Sequence, residues 1–178
     1  LIGVPGQTIV GLTPPAVRKA YGFRDDLTGE GQTIGIVVAY DYVDTESDLA
    51  YFSSTFNLPQ CTTDNGCFRK VFAQGAKPGT KQLWALETAL DVEWAHAIAP
   101  KAKLLLVESK SAKLSDMLEA VDVAANQGAT VVAMSWGLPE TEQSTSYDVH
   151  FRGPNVSFVA AADHYGLGIF YPASSPFR

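Results

Sequence analysis

Apolar positions along this chain alternate between two rhythms. Thr33 to Tyr40 (Thr-Ile-Gly-Ile-Val-Val-Ala-Tyr) is an unbroken apolar run of the length and composition that predicts a buried parallel strand. Lys103 to Glu108, Thr130 to Ser135 and Val156 to Ala161 repeat that signature, and a short strand is predicted around Phe68 to Phe72. Between them the period lengthens to that of helices. Glu46 to Phe56 reads as one helix, and Leu114 to Asn126 as an amphipathic helix with Gly128 as its stop signal. Near the start, Thr13-Pro14-Pro15 predicts a capped short helix, Thr13 being the cap, which Gly22 ends. Strand, helix, strand in this order predicts an α/β fold with a parallel sheet and right-handed crossovers. Sites in such sheets gather at the carboxyl ends of the strands, which directs attention to Ser135-Trp136-Gly137 and to Asp163-His164-Tyr165-Gly166.

One helical segment carries candidate chemistry. In the run from Leu83 to Pro100, Glu87 and Asp91 are four residues apart and therefore emerge on one face. Like charges at that spacing weaken an isolated helix slightly, a cost that a shared proton would offset. Two carboxyls on one site push one pKa up and the other down, giving a proton acceptor beside a partner that orients it. The ordinary reading of Glu-x-x-x-Asp is a solvated helix face. The flanking Leu83, Trp84, Leu86, Leu90, Val92, Trp94, Ala95 and Ile98 argue for a helix that is apolar over most of its circumference and largely buried. Buried carboxylates need partners or a task.

Composition narrows the class. The 178 residues suit a single domain, 1–178, with a sizeable core. Hydrophobic residues are 46% and charged residues 18%, an ordinary globular balance. A net charge of −6 argues against nucleic acid or an anionic membrane as partner and suits work below neutral pH. No apolar run is long enough to span a membrane. The first residues, Leu-Ile-Gly-Val-Pro-Gly-Gln, lack the basic start and apolar stretch of a signal peptide, so a targeting segment is expected to have been removed already. The two cysteines, Cys61 and Cys67, bracket Thr-Thr-Asp-Asn-Gly; this spacing across an Asn-Gly turn fits a local disulfide in an oxidising, extracellular setting, with two free thiols as the alternative. Two ligands without a second pair or nearby histidines are too few for zinc, so no metal site is expected.

Together these segments resemble the sedolisins, the serine-carboxyl peptidases with a subtilisin-like fold. The resemblance runs from Leu12-Thr13-Pro14 and Tyr21-Gly22 through Ile34-Gly35-Ile36-Val37, Ala39-Tyr40-Asp41, the cysteine loop and Glu87 with Leu90-Asp91-Val92-Glu93-Trp94. It continues to Ser135-Trp136-Gly137, Asp163 and Tyr171-Pro172-Ala173-Ser174-Ser175-Pro176. It implies a parallel sheet flanked by helices, incomplete relative to the family's full domain. It implies Glu87 as general base towards a serine, Asp91 as the group that holds and polarises Glu87, and Asp163 as the protonated carboxyl facing the oxyanion. Ser135, Trp136 and Gly137 would pair with substrate backbone as an added strand. Two departures stand out. Ala162 precedes Asp163 where the family usually has glycine, which predicts backbone strain if that position needs a positive φ. The family's Gly-Thr-Ser nucleophile segment and the calcium site beyond it have no counterpart before Arg178, and Ser174 and Ser175 do not match the nucleophile motif. The expectations are therefore a peptide or protein substrate, no cofactor in this chain, a complementary carboxyl-terminal chain or a homodimer as partner, and either a portion of a secreted acid peptidase or a non-hydrolytic binding domain.

Overall fold

A computed structural model describes residues 11–162, 166 and 168–176. The elements are α1 (Pro14–Ala20), β1 (Thr33–Ala39), α2 (Thr45–Thr55), β2 (Phe68–Phe72), α3 (Gln82–Ile98), β3 (Lys103–Ser109), α4 (Leu114–Asn126), β4 (Val131–Met134), a 3-10 helix (Ser144–Phe151) and β5 (Ser157–Ala160). The five strands form one sheet in the order β2-β3-β1-β4-β5, with every pair parallel.

The period-2 geometry of the central strands divides the core in two. Val37 and Ala39 of β1 and Leu105 and Val107 of β3 face α4 and pack with Met117, Val121 and Ala124. Their neighbours Ile36, Val38, Leu104 and Leu106 face the other way and pack with Leu49 of α2 and Val92 of α3. Strands buried on both faces must be apolar throughout, which explains the unbroken runs in the sequence. Gly35 lets α4 approach closely: a Cβ there would sit 2.9 Å from the Ala129 Cβ and 3.1 Å from the Ala124 Cβ.

The cysteine loop is closed by a Cys61–Cys67 disulfide, as its spacing predicts. Asn65 organises the turn within it, its Oδ1 accepting from the backbone N–H of Thr62 at 3.1 Å and of Cys67 at 3.0 Å. Glu46 on α2 anchors the loop by accepting from Thr63 N–H at 2.7 Å and from its hydroxyl at 2.8 Å.

Several expectations need correction. The helix bearing Glu87 and Asp91 is not largely buried. Leu83, Leu86 and Leu90 are 83%, 68% and 50% exposed, because α3 packs on the molecule through one side only, the side of Thr88, Val92, His96 and Ala97. Strand β4 stops at Met134, so Ser135 lies in the loop beyond it. The 3-10 helix Ser144–Phe151 was not foreseen, since its sequence has neither period. Among the described residues the non-glycine positions with positive φ are Tyr40, Asn57 and Asn155; Ala162 is not one of them, so the strain expected there is not seen. No helix is long and apolar enough to cross a membrane among the described residues.

Candidate functional site

The site assembles where α3 passes the loop that follows β4. Asp91 projects from the middle of α3, and its Oδ1 accepts a 2.7 Å hydrogen bond from the Ser135 hydroxyl. Ending β4 at Met134 is what frees Ser135 to reach it. The second carboxylate oxygen of Asp91 is buried and has no hydrogen-bond partner among the described residues. Burial pushes the Asp91 carboxyl up to about 7; the nearby negative charge of Glu87 pushes in the same direction, and the Ser135 bond opposes both. Asp91 is therefore protonated below neutrality, and the buried oxygen without a partner is the natural seat of that proton. Glu87 lies one turn earlier, half-buried beside the exposed leucines.

Beyond Ser135, Trp136 is buried, its indole N–H without a partner among the described residues, and it walls a cavity of about 120 Å³ together with Trp84, Met117 and Gly137. Trp84 sits on α3 three residues before Glu87, so the cavity is walled in part by the helix that bears the carboxylates. Among the described residues, the backbone groups of Trp136 and Gly137 take no hydrogen bond, whereas Leu138 exchanges two 2.9 Å bonds with Tyr171. That bridge holds the end of the segment and leaves the two preceding residues with unpaired backbone. Gly137 is pressed against the segment of Phe170 and Tyr171: a Cβ would lie 2.9 Å from the Phe170 Cβ and 3.3 Å from the Tyr171 carbonyl oxygen.

The fold thus brings Glu87, Asp91, Ser135, Trp136 and Gly137 to one end of the sheet. Asp163 lies outside the described residues. Sequence reasoning placed Ser135 in a peptide-pairing segment and missed its contact with Asp91. It also missed a second ionisable group at the carboxyl ends of β1 and β3. There Lys70 lies 3.0 Å from the buried Asp41 and 3.2 Å from the buried Glu108, with Lys77 3.2 Å from Asp41. Burial raises Glu108 to about 7, against the Tyr42 N–H and Lys70. Burial alone would also raise Asp41, but Lys70, Glu108 and Lys77 together hold it below its usual value. The signal was present in the sequence as a lysine inside β2 and a glutamate ending an apolar run. On α3 itself, burial also lifts Glu93 to about 7.

Kumamolisin from Bacillus sp. (strain MN-32) is 30% identical to this chain over 135 residues, covering 72% of the chain and 23% of that protein. The fold overlays on a Pseudomonas sedolisin, a serine-carboxyl proteinase complexed with two molecules of pseudo-iodotyrostatin, with a TM-score of 0.76 at 19% identity. That match covers 96% of this chain and 53% of the other. The chain belongs to the sedolisin family. It spans less than a quarter of the kumamolisin length and about half of the sedolisin chain, so it corresponds to part of a sedolisin catalytic domain. A PatG macrocyclase in complex with peptide shares the fold at a TM-score of 0.51 and 16% identity, over 84% of this chain and 56% of that one. No family model matches the chain.

Proposed function

We propose that this chain carries the proton-handling part of an acid serine-carboxyl peptidase site. The observation that supports this best is the state of Asp91: half-buried, raised to about 7, hydrogen-bonded to Ser135 and felt by Glu87. At acid pH Asp91 is neutral and the ionised member of the pair is Glu87, which can then act as the base. Glu87 then accepts the proton of a serine hydroxyl as the serine oxygen attacks the peptide carbonyl, and returns it to the leaving amine. Asp163, in its protonated form, donates to the oxygen that becomes negative. The unpaired backbone of Trp136 and Gly137 receives the peptide as an added strand.

On this reading the nucleophilic hydroxyl is not Ser135, whose proton is engaged by Asp91, nor Ser174 or Ser175. It comes from a partner segment, and the exposed Leu83, Leu86 and Leu90 beside Glu87 offer that segment an apolar surface. The 178 residues by themselves bind peptide without cleaving it. The disulfide fits secretion into an oxidising medium. A positive φ at Ala162, which would have favoured the alternative of a non-hydrolytic binding domain slightly, is not seen among the described residues.

The test is cleavage of a fluorogenic peptide at about pH 4 by the full-length protein and its Glu87→Gln variant. Loss of a general base predicts a fall of roughly 10²–10⁴-fold in kcat. Undiminished cleavage by the variant would refute the assignment. Absence of cleavage by the unmodified full-length protein would favour the binding domain.

A further inference from the structure

The disulfide has a third neighbour that the sequence did not reveal. His96, near the end of α3, is fully buried, and one of its ring nitrogens and the sulfurs of Cys61 and Cys67 all lie within 4.8 Å of one another. Its Nε2 stands 2.7 Å from the Pro59 carbonyl oxygen. A carbonyl can only accept, so Nε2 carries the proton and the lone pair resides on Nδ1. Nδ1 is buried and has no hydrogen-bond partner among the described residues. A neutral imidazole with one nitrogen tied to a backbone carbonyl and the other presenting an unshared pair is the arrangement that metal-bound histidines adopt.

From this we propose that Cys61, Cys67 and His96 form a redox-gated site for a soft divalent ion such as Zn²⁺, closed while the disulfide is intact and created when it is reduced. A way in exists. Cys67 lines an open cavity of about 400 Å³ with Gly66, Thr63, Arg69 and Lys103 along its wall. A dithiol entering there attacks the Cys67 sulfur as thiolate, and the S–S electron pair leaves on Cys61. The second thiol of the reductant then displaces Cys67, giving two cysteine thiols and a cyclic disulfide. Zn²⁺ displaces one proton from each thiol and takes the His96 lone pair, making a neutral two-thiolate, one-imidazole centre whose fourth position opens to the cavity. Burial lowers the His96 pKa, although the Pro59 bond opposes this, so the ring stays in its neutral, ligating form. Because two protons leave, uptake weakens steeply as pH falls. The same loop would therefore be locked by oxidation in an acidic medium and by metal in a reducing, near-neutral one.

Co²⁺ reports the geometry. The protein, reduced with tris(2-carboxyethyl)phosphine at about pH 7.5, is titrated with Co²⁺ and then competed with Zn²⁺; the phosphine leaves as its oxide, taking oxygen from water. The proposal predicts one equivalent of Co²⁺ with thiolate charge-transfer and intense tetrahedral-type bands, displaced by one equivalent of Zn²⁺, and none of these bands without reduction. His96→Gln should weaken binding by at least about 100-fold, and His96→Cys should restore it with stronger charge transfer, provided circular dichroism shows each variant folded. Three results would overturn the proposal: no Co²⁺ bands after verified reduction, equal bands in the oxidised protein, or unchanged affinity in folded His96→Gln. If neither His96 variant folds, the Cys61→Ser variant decides: it must lose the bands, and retaining them overturns the site.

Discussion

Raising the pH from about 4 to about 7 should loosen this protein, and Asp91→Asn should remove a defined share of that loss. A carboxyl whose folded pKa is raised binds its proton more tightly folded than unfolded. Its contribution is fully present below the unfolded value and is lost as pH rises through the folded one. For Asp91 these limits are the usual 3.8 and about 7. At about 1.4 kcal/mol per pH unit, the interval corresponds to roughly 4 kcal/mol. With a urea m-value of about 2 kcal/mol/M, typical of small domains, that is a shift of about 2 M in the unfolding midpoint. Glu93 and Glu108, also raised to about 7 by burial, act in the same sense and window. Asp41, held down by Lys70, Glu108 and Lys77, works the other way, its contribution being lost only as pH falls below the usual carboxylate range. Asparagine keeps the shape of Asp91 and an oxygen for Ser135 to donate to, but never ionises. The assay is urea unfolding, followed by tryptophan fluorescence, of both proteins at intervals between pH 4 and 8. The unmodified midpoint should fall with pH, and that of the variant should fall by about 2 M less. A flat or rising profile, or parallel profiles for the two proteins, would refute the reasoning.

Further expectations follow from individual contacts. Gly137→Ala should cost about 1–3 kcal/mol, read as a lowered thermal midpoint, because the new methyl meets Phe170 and Tyr171 in a packed bridge. Replacing Leu83 and Leu86 together by glutamine should change stability by only about 0.5 kcal/mol each, since both are exposed; a loss of several kcal/mol would show that the helix is covered in solution. Titration of the unfolded, unreduced protein should find no free thiol, and Cys67→Ser should lower stability by about 2 kcal/mol, the entropy of opening so short a loop.

What the sequence disclosed follows from what each residue needs. A strand buried on both faces must be apolar at every position, so β1 and β3 could be read almost to their ends. The Cys61–Cys67 bond was legible because its turn is local, carried by Asn65 and Gly66. Contacts between distant segments were not. Nothing in Met134-Ser135-Trp136 marks where β4 stops, and the Ser135–Asp91 bond joins residues 44 apart. The position of His96 beside the cysteines depends likewise on how α3 lies against the loop. The leucines of α3 misled for a different reason: an apolar side chain has no obligation to be buried, whereas a buried carboxyl must be accommodated. Glu108 and Lys70 illustrate that second rule, since a glutamate at the end of an apolar run requires a cation nearby, but the sequence does not say which.

Asp91 is the carboxyl kept protonated beside Glu87 on which the proposed chemistry depends. The most direct measurement is the carboxyl ¹³C chemical shift of Asp91, titrated by NMR in the unmodified protein and in Glu87→Gln. A midpoint near 7 is expected in the first and a lower one in the second, because burial and the Glu87 charge both raise it and the variant removes only the charge. A midpoint near the ordinary aspartate value in the unmodified protein, or one that Glu87→Gln leaves unmoved, would contradict it.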